Sequence, residues 1–138
     1  MFELTNTNSD MISFFESLGA KTELIDDITY FKSYSSLDDE VYSLTNGVGL
    51  KYMNTSSIIE LKGTDSLDFL HRISTNSMKD INKEEVKKTI FTSEKGRIIG
   101  VTTVLNFESY ILLVTGIHSK QKVMSWINKY IIGDDVQL

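Results

Sequence analysis

The sequence predicts an α+β domain, a mainly antiparallel sheet covered by two or three helices. Three observations point there. Stretches 86–92, 98–106 and 110–115 are rich in β-branched and aromatic residues, and the turns between them are too short for a crossover helix. Three other segments, "NSDMISFFESLGA", "GTDSLDFLHRIST" and "HSKQKVMSWINKYIIG", set apolar residues at helical spacing behind capping residues. The 138 residues, 41% hydrophobic and 24% charged, suffice for one ordinary core. Proline is absent, and no repeat or low-complexity tract cuts the chain, so a single domain over 1–138 is expected.

Taken in order, the first helix has Asn8 or Ser9 as its cap, an apolar set of Met11, Ile12, Phe14, Phe15 and Leu18, and Gly19 as its stop. "ITYFKSY" (28–34) reads as a strand. Residues 35–40, "SSLDDE", are the best loop between elements. "VYSLTNGVGLKYM" (41–53) is strand-like on both sides of Asn46-Gly47, a dipeptide that favours a tight turn. "SSIIELKG" is a strand closing at Gly63. Thr64 then caps a helix carrying Leu67, Leu70 and Ile73, with Asp65 in the first turn, where the helix dipole favours an anion. The three strands of the meander follow. The last helix puts Val123, Trp126, Ile127 and Tyr130 on one face, as core against the sheet, and closes at Gly133. "DDVQL" opens one more strand.

"TSEKGRIIG" (92–100) joins two of these strands. A phosphate-binding loop needs glycines before Gly-Lys-Ser/Thr and a helix N-terminus behind it. Here a strand follows Gly96-Arg97, so the stretch is a hairpin turn that uses Gly96 for positive φ.

Composition narrows function further. Lys and Arg number 14 against 19 Asp and Glu, a net charge of -5, which argues against direct nucleic-acid binding. Without cysteine there is no disulfide, no thiolate nucleophile and no cysteine-held zinc or iron–sulfur cluster. The polar, acidic N-terminus is no signal peptide, and no apolar run reaches the length of a membrane span. A cytoplasmic domain that binds no metal is expected. His71 lacks a paired nucleophile, His118 precedes the last helix and serves its N-terminal turn, and Asp26-Asp27, Asp38-Asp39-Glu40 and Asp134-Asp135 lack the spaced ligands of a calcium loop. The mixed-charge run 83–88 reads as a solvent-facing loop and strand edge.

The order "IIELKGTDSLDFLHRISTNSMKDI", "TIFTSEKGRIIG", "YILLVT" and "INKYIIGDDVQL" resembles the folate-binding YgfZ-type proteins, relatives of the glycine-cleavage T-protein, an aminomethyltransferase. "SLGAKTE" and "NGVGLKYMNTS" fit the N-terminal part of that family. The resemblance implies a domain that binds tetrahydrofolate or a derivative, with the strand after the Gly96-Arg97 turn lining the pocket. Thr92, Gly100, Thr102, Val104 and Thr115 become the pocket candidates. It implies also a role in maintaining iron–sulfur proteins and in iron–sulfur-dependent tRNA modification.

The same resemblance exposes departures. The acidic pair that follows this turn in the aminomethyltransferases falls on Gly100-Val101, which cannot exchange a proton. The T-protein's tyrosine on the preceding strand falls near Lys88, and its asparagine on the following strand near Thr115. No catalytic residue is therefore assigned, and the leaning is toward a non-catalytic folate binder. Two alternatives stand beside it, a folate-independent interaction module and an aminomethyltransferase relative. The family continues past "DDVQL", to a Lys-Gly-Cys motif in the YgfZ type, so the chain reads as a family N-terminal half or an unusually short member. Its exposed sheet edge is a template for a second copy.

Overall fold

The computed structural model describes residues 7–138. The chain gathers into two compact units that divide after Thr55.

The first unit opens with α1 (Thr7–Ser17). Asn8 and Ser9, expected as caps, lie inside this helix. Gly19, at φ 98°, ends it in a Schellman motif: its N–H donates to Glu16 O, and that of Ala20 to Phe15 O. Strands β1 (Lys21–Ile25) and β2 (Ile28–Ser33) then pair as an antiparallel hairpin. The second matches the expected strand; the first has no counterpart in the sequence reading. Asp26 and Asp27, at φ 49° and 61°, form the two-residue turn between them, the mirror-image geometry that suits the strand twist.

Residues 37–46 correct the sequence reading. They form a helix, α2 (Leu37–Asn46), where a loop and a strand were expected. Ser36 is its N-cap, accepting a hydrogen bond from the Asp39 N–H, and Asp38, Asp39 and Glu40 fill the first turn, where the dipole stabilises anions. Glu40 also accepts from the N–H groups of Ser35 (3.0 Å) and Tyr34 (2.6 Å), Ser35 first in effect, which hold its carboxyl below the usual range. Gly47, read as a hairpin residue, caps the C-terminus instead. These capping bonds outweigh the strand preference of Val41, Tyr42 and Thr45. An aromatic cluster of Phe15, Phe31, Tyr34 and Tyr52 holds the unit together, with Phe31 and Tyr34 stacked at 5.0 Å. No residue from Ser9 to Thr55 is buried.

The second unit is built on β3 (Ser56–Leu61), β4 (Val86–Thr92), β5 (Ile98–Asn106) and β6 (Ile111–Gly116), all close to the expected bounds. They form one antiparallel sheet in the order β3-β6-β5-β4. Alternation along β5 sends Gly100, Thr102, Val104 and Asn106 to the buried face and Val101 to the open one. Helices α3 (Ser66–Ile73) and α4 (Lys120–Tyr130) cover the buried face, contributing Phe69, Leu70, Val123 and Ile127 to the core. A single 3-10 turn, 117–119, precedes α4. The α+β class and the antiparallel sheet stand, with four helices and a second, two-stranded sheet among the described residues.

Three local expectations change. Asp65, not Thr64, occupies the cap position of α3, and α4 ends at Tyr130 rather than Gly133. The strand expected at "DDVQL" reduces to one bridge, in which Lys62 and Gln137 exchange both backbone bonds.

Candidate functional site

The hairpin at residues 93–97 is closed by its own backbone. Ser93 N–H donates to Arg97 O (2.8 Å), and Gly96 N–H donates to Ser93 O (2.8 Å). Gly96 sits at φ 71° with open space around it, and Arg97 is exposed. One residue beyond the turn the pairing slips, so that Thr92 faces Ile98 and Phe91 faces Gly100, leaving Ile99 as a bulge.

Burial divides the five pocket candidates. Gly100, Thr102, Val104 and Thr115 lie on the buried face; Thr102, Val104 and Thr115 are at most 3% exposed. A Cβ on Gly100 would meet Val123 Cγ2 at 2.6 Å and Ser119 Cβ at 3.4 Å. The Thr115 hydroxyl donates to Val101 O (3.1 Å), while the Thr102 hydroxyl is buried with no partner among the described residues. As packed, these four residues leave no room for a folate ring. Thr92 alone reaches an open cleft.

That cleft, about 480 Å³, lies between the end of α3, the start of the hairpin and α4. Its walls include Arg72, Thr75, Thr92, Glu94, Trp126 and Tyr130. Trp126 and Tyr130, one helical turn apart on α4, meet edge to face at 4.7 Å. Lys129 lies 5.3 Å and 5.1 Å from their ring centroids and pairs with Glu94 at 2.6 Å. The Tyr130 hydroxyl donates to the same carboxylate (3.2 Å). These two donors, Lys129 first, hold Glu94 below the ordinary carboxylate range. The indole N–H of Trp126 is buried and has no acceptor among the described residues. Arg72 is held by Asp68 (2.8 Å) and Asp134, which raises its pKa, the Asp134 hydrogen bond being the largest cause.

Sequence reasoning missed the cleft because its walls come from three separated segments. The helical spacing of Trp126 and Tyr130 was its one visible sign. The other residues singled out have structural partners or lie open to solvent. His71 Nδ1 accepts from the Met78 N–H (3.4 Å), and His118 sits in the 3-10 turn. In the charged run, Lys83 pairs with Glu108 and Lys87 with Asp80, each at 2.9 Å. Asp135 accepts from both the N–H and the hydroxyl of Thr64. Among the described residues no helix is long and apolar enough to cross a membrane.

The model of the GCVT N-terminal domain matches residues 11–138. The chain belongs to the GCVT N-terminal domain family. Curated relatives include aminomethyltransferases from Bacteroides fragilis, 28% identical over 111 residues, and from Bacillus mycoides, 28% identical over 102. A third, from Pseudothermotoga lettingae, is 31% identical over 95 residues. The matches take in 80%, 73% and 68% of this chain but only 31%, 28% and 26% of those proteins. The chain thus spans under a third of the length of these family members. The crystal structure of glycine cleavage system aminomethyltransferase T from Bartonella henselae superposes with a TM-score of 0.71 at 13% identity, covering 92% of this chain and 36% of that one. It shares the fold.

Proposed function

We propose that this chain is a tetrahydrofolate-binding domain, the N-terminal part of a T-protein-like fold, that does not itself transfer an aminomethyl group. The observation that carries the second half of this reading is Gly100. Neither it nor Val101 can ionise, and Val123 fills the space into which a side chain at Gly100 would project. Membership of the GCVT family supports the first half. The buried candidates on β5 and β6 do not fit a bound folate as packed, so the ligand is placed at the cleft that Thr92 lines. Its volume is that of a small-molecule site, and two aromatic side chains, Trp126 and Tyr130, stand in its wall. Working in the cytoplasm, such a domain would serve iron–sulfur proteins and iron–sulfur-dependent tRNA modification, as in the YgfZ type.

The chain has one tryptophan, so its fluorescence reports on this cleft directly. Titration with tetrahydrofolate is expected to change Trp126 emission saturably, with matching heat in calorimetry. No change at millimolar folate would leave the folate-independent interaction module as the better reading. The names of the curated relatives favour a second reading, an aminomethyltransferase relative with displaced catalytic groups. Turnover with tetrahydrofolate and an aminomethyl-lipoyl carrier would establish it.

A further inference from the structure

The first unit carries an apolar surface that nothing in the unit covers. On α2, Leu37, Val41 and Leu44 recur at i, i+4 and i+7, the spacing of one helix face. Such a stripe ordinarily faces a core, yet α2 has no buried residue. Leu37 and Leu44 are 75% and 71% exposed, and Val48 and Leu50, just past the helix, are 94% and 81% exposed. Leu44, Val48, Leu50 and Lys51 border one open groove of about 360 Å³ beside the helix. Scattered exposed apolar residues are normal on a protein surface; a continuous run at helical spacing marks an interface.

Charge at the two ends of this run selects the occupant. Asp38 lies in the first turn of α2, and Lys51 lies beyond its C-terminus. Neither side chain has an ion-pair partner among the described residues. A two-fold axis that runs the stripe antiparallel to itself sets Asp38 of each copy against Lys51 of the other, twice by symmetry. It also opposes the two helix dipoles, head to tail. We propose that the α2 face is a homodimer interface, in which Leu37, Val41, Leu44 and Val48 pack against the same residues of a second copy. The association is weak, because one helix face and its flanking segment give an interface at the low end of the specific range, under about 1,200 Å² in total.

Sedimentation of the whole chain over a range of concentrations tests this. A reversible monomer–dimer equilibrium is expected, weakened at least about tenfold by Leu44→Lys, since a charge at the centre of an apolar patch must be desolvated. Leu44 is exposed in the single chain, so this variant keeps its helical circular dichroism. Asp38→Lys alone weakens the dimer by like-charge contact, and adding Lys51→Asp restores it. The proposal is overturned by a monomer at every concentration, which leaves the face to a different polypeptide. It is overturned equally by a dimer indifferent to Leu44→Lys, held instead at a sheet edge or the open sheet face. Failure of the charge swap to rescue association ends it as well.

Discussion

Val123 of α4 occupies the space into which a side chain on Gly100 of β5 would project; a Cβ built there lies 2.6 Å from Val123 Cγ2. The absence of an acid at this position and the seating of the helix are one fact. Gly100 lets α4 approach the sheet closely, and Val123, fully buried, uses that room.

Gly100→Asp should therefore destabilise the second unit by about 2 kcal/mol or more, since it overfills a packed site and buries a charge. Pairing it with Val123→Ala should recover part of the loss by making space. Urea unfolding measures both. A Gly100→Asp variant as stable as the parent would mean that α4 moves freely off the sheet.

At the tip of the same hairpin the constraint is backbone, not space. Gly96 has φ 71°, and a Cβ added to it would meet nothing within 4 Å. Gly96→Val should cost about 1 kcal/mol or more, because a β-branched residue is strained at positive φ. Gly96→Asn should cost clearly less, as asparagine tolerates this region. Equal melting temperatures for the two variants would contradict the assignment of the loss to φ.

The contrast between the two units shows what a sequence makes legible. Strands β4, β5 and β6 were readable because alternation along one buried face is a local signal, and β5 alternates almost without fault from Ile99 to Asn106. Helix α2 was not, since its apolar residues face no core and its composition favours a strand. The Ser36-x-x-Asp39 cap was the available clue. The cleft around Trp126 and the partners of Asp135 were invisible for another reason. Thr64 and Asp135 stand 71 residues apart, and no local pattern pairs them.

The turn between β1 and β2 offers a stabilising change. Asp26 and Asp27 both hold positive φ, which costs an aspartate more than a glycine. Asp27→Gly should strengthen the hairpin by about 0.5 kcal/mol, by supplying the residue that this mirror-image turn prefers. Slower amide exchange across the β1–β2 pairs is the expected readout. Faster exchange would mean that the Asp27 carboxylate contributes more than its backbone costs.

Acid should act on a carboxylate at the end of the sheet. Asp135 accepts two hydrogen bonds at one oxygen, from the N–H and the hydroxyl of Thr64, both at 2.9 Å. These donors, the backbone N–H first, lower its pKa from the ordinary 3.8. A carboxylate whose folded pKa is depressed stabilises the fold above its unfolded pKa, and that contribution disappears as pH falls through the folded value. The clasp should hold undiminished above pH 3.8 and loosen only below it. What it secures is the bridge between Lys62 and Gln137, next to Gly63, where a Cβ would collide with Asp135 O. Protection factors of the Lys62 and Gln137 amides, corrected for intrinsic exchange, should fall below that pH in the parent chain. Asp135→Asn keeps an acceptor but no titrating charge, so it should remove the acid dependence, while Asp135→Ala should lower protection at every pH. If Asp135→Asn loosens in acid just as the parent does, another carboxylate governs this end of the sheet, and Asp65, which accepts from the Asp135 N–H at 2.9 Å, is the next to test.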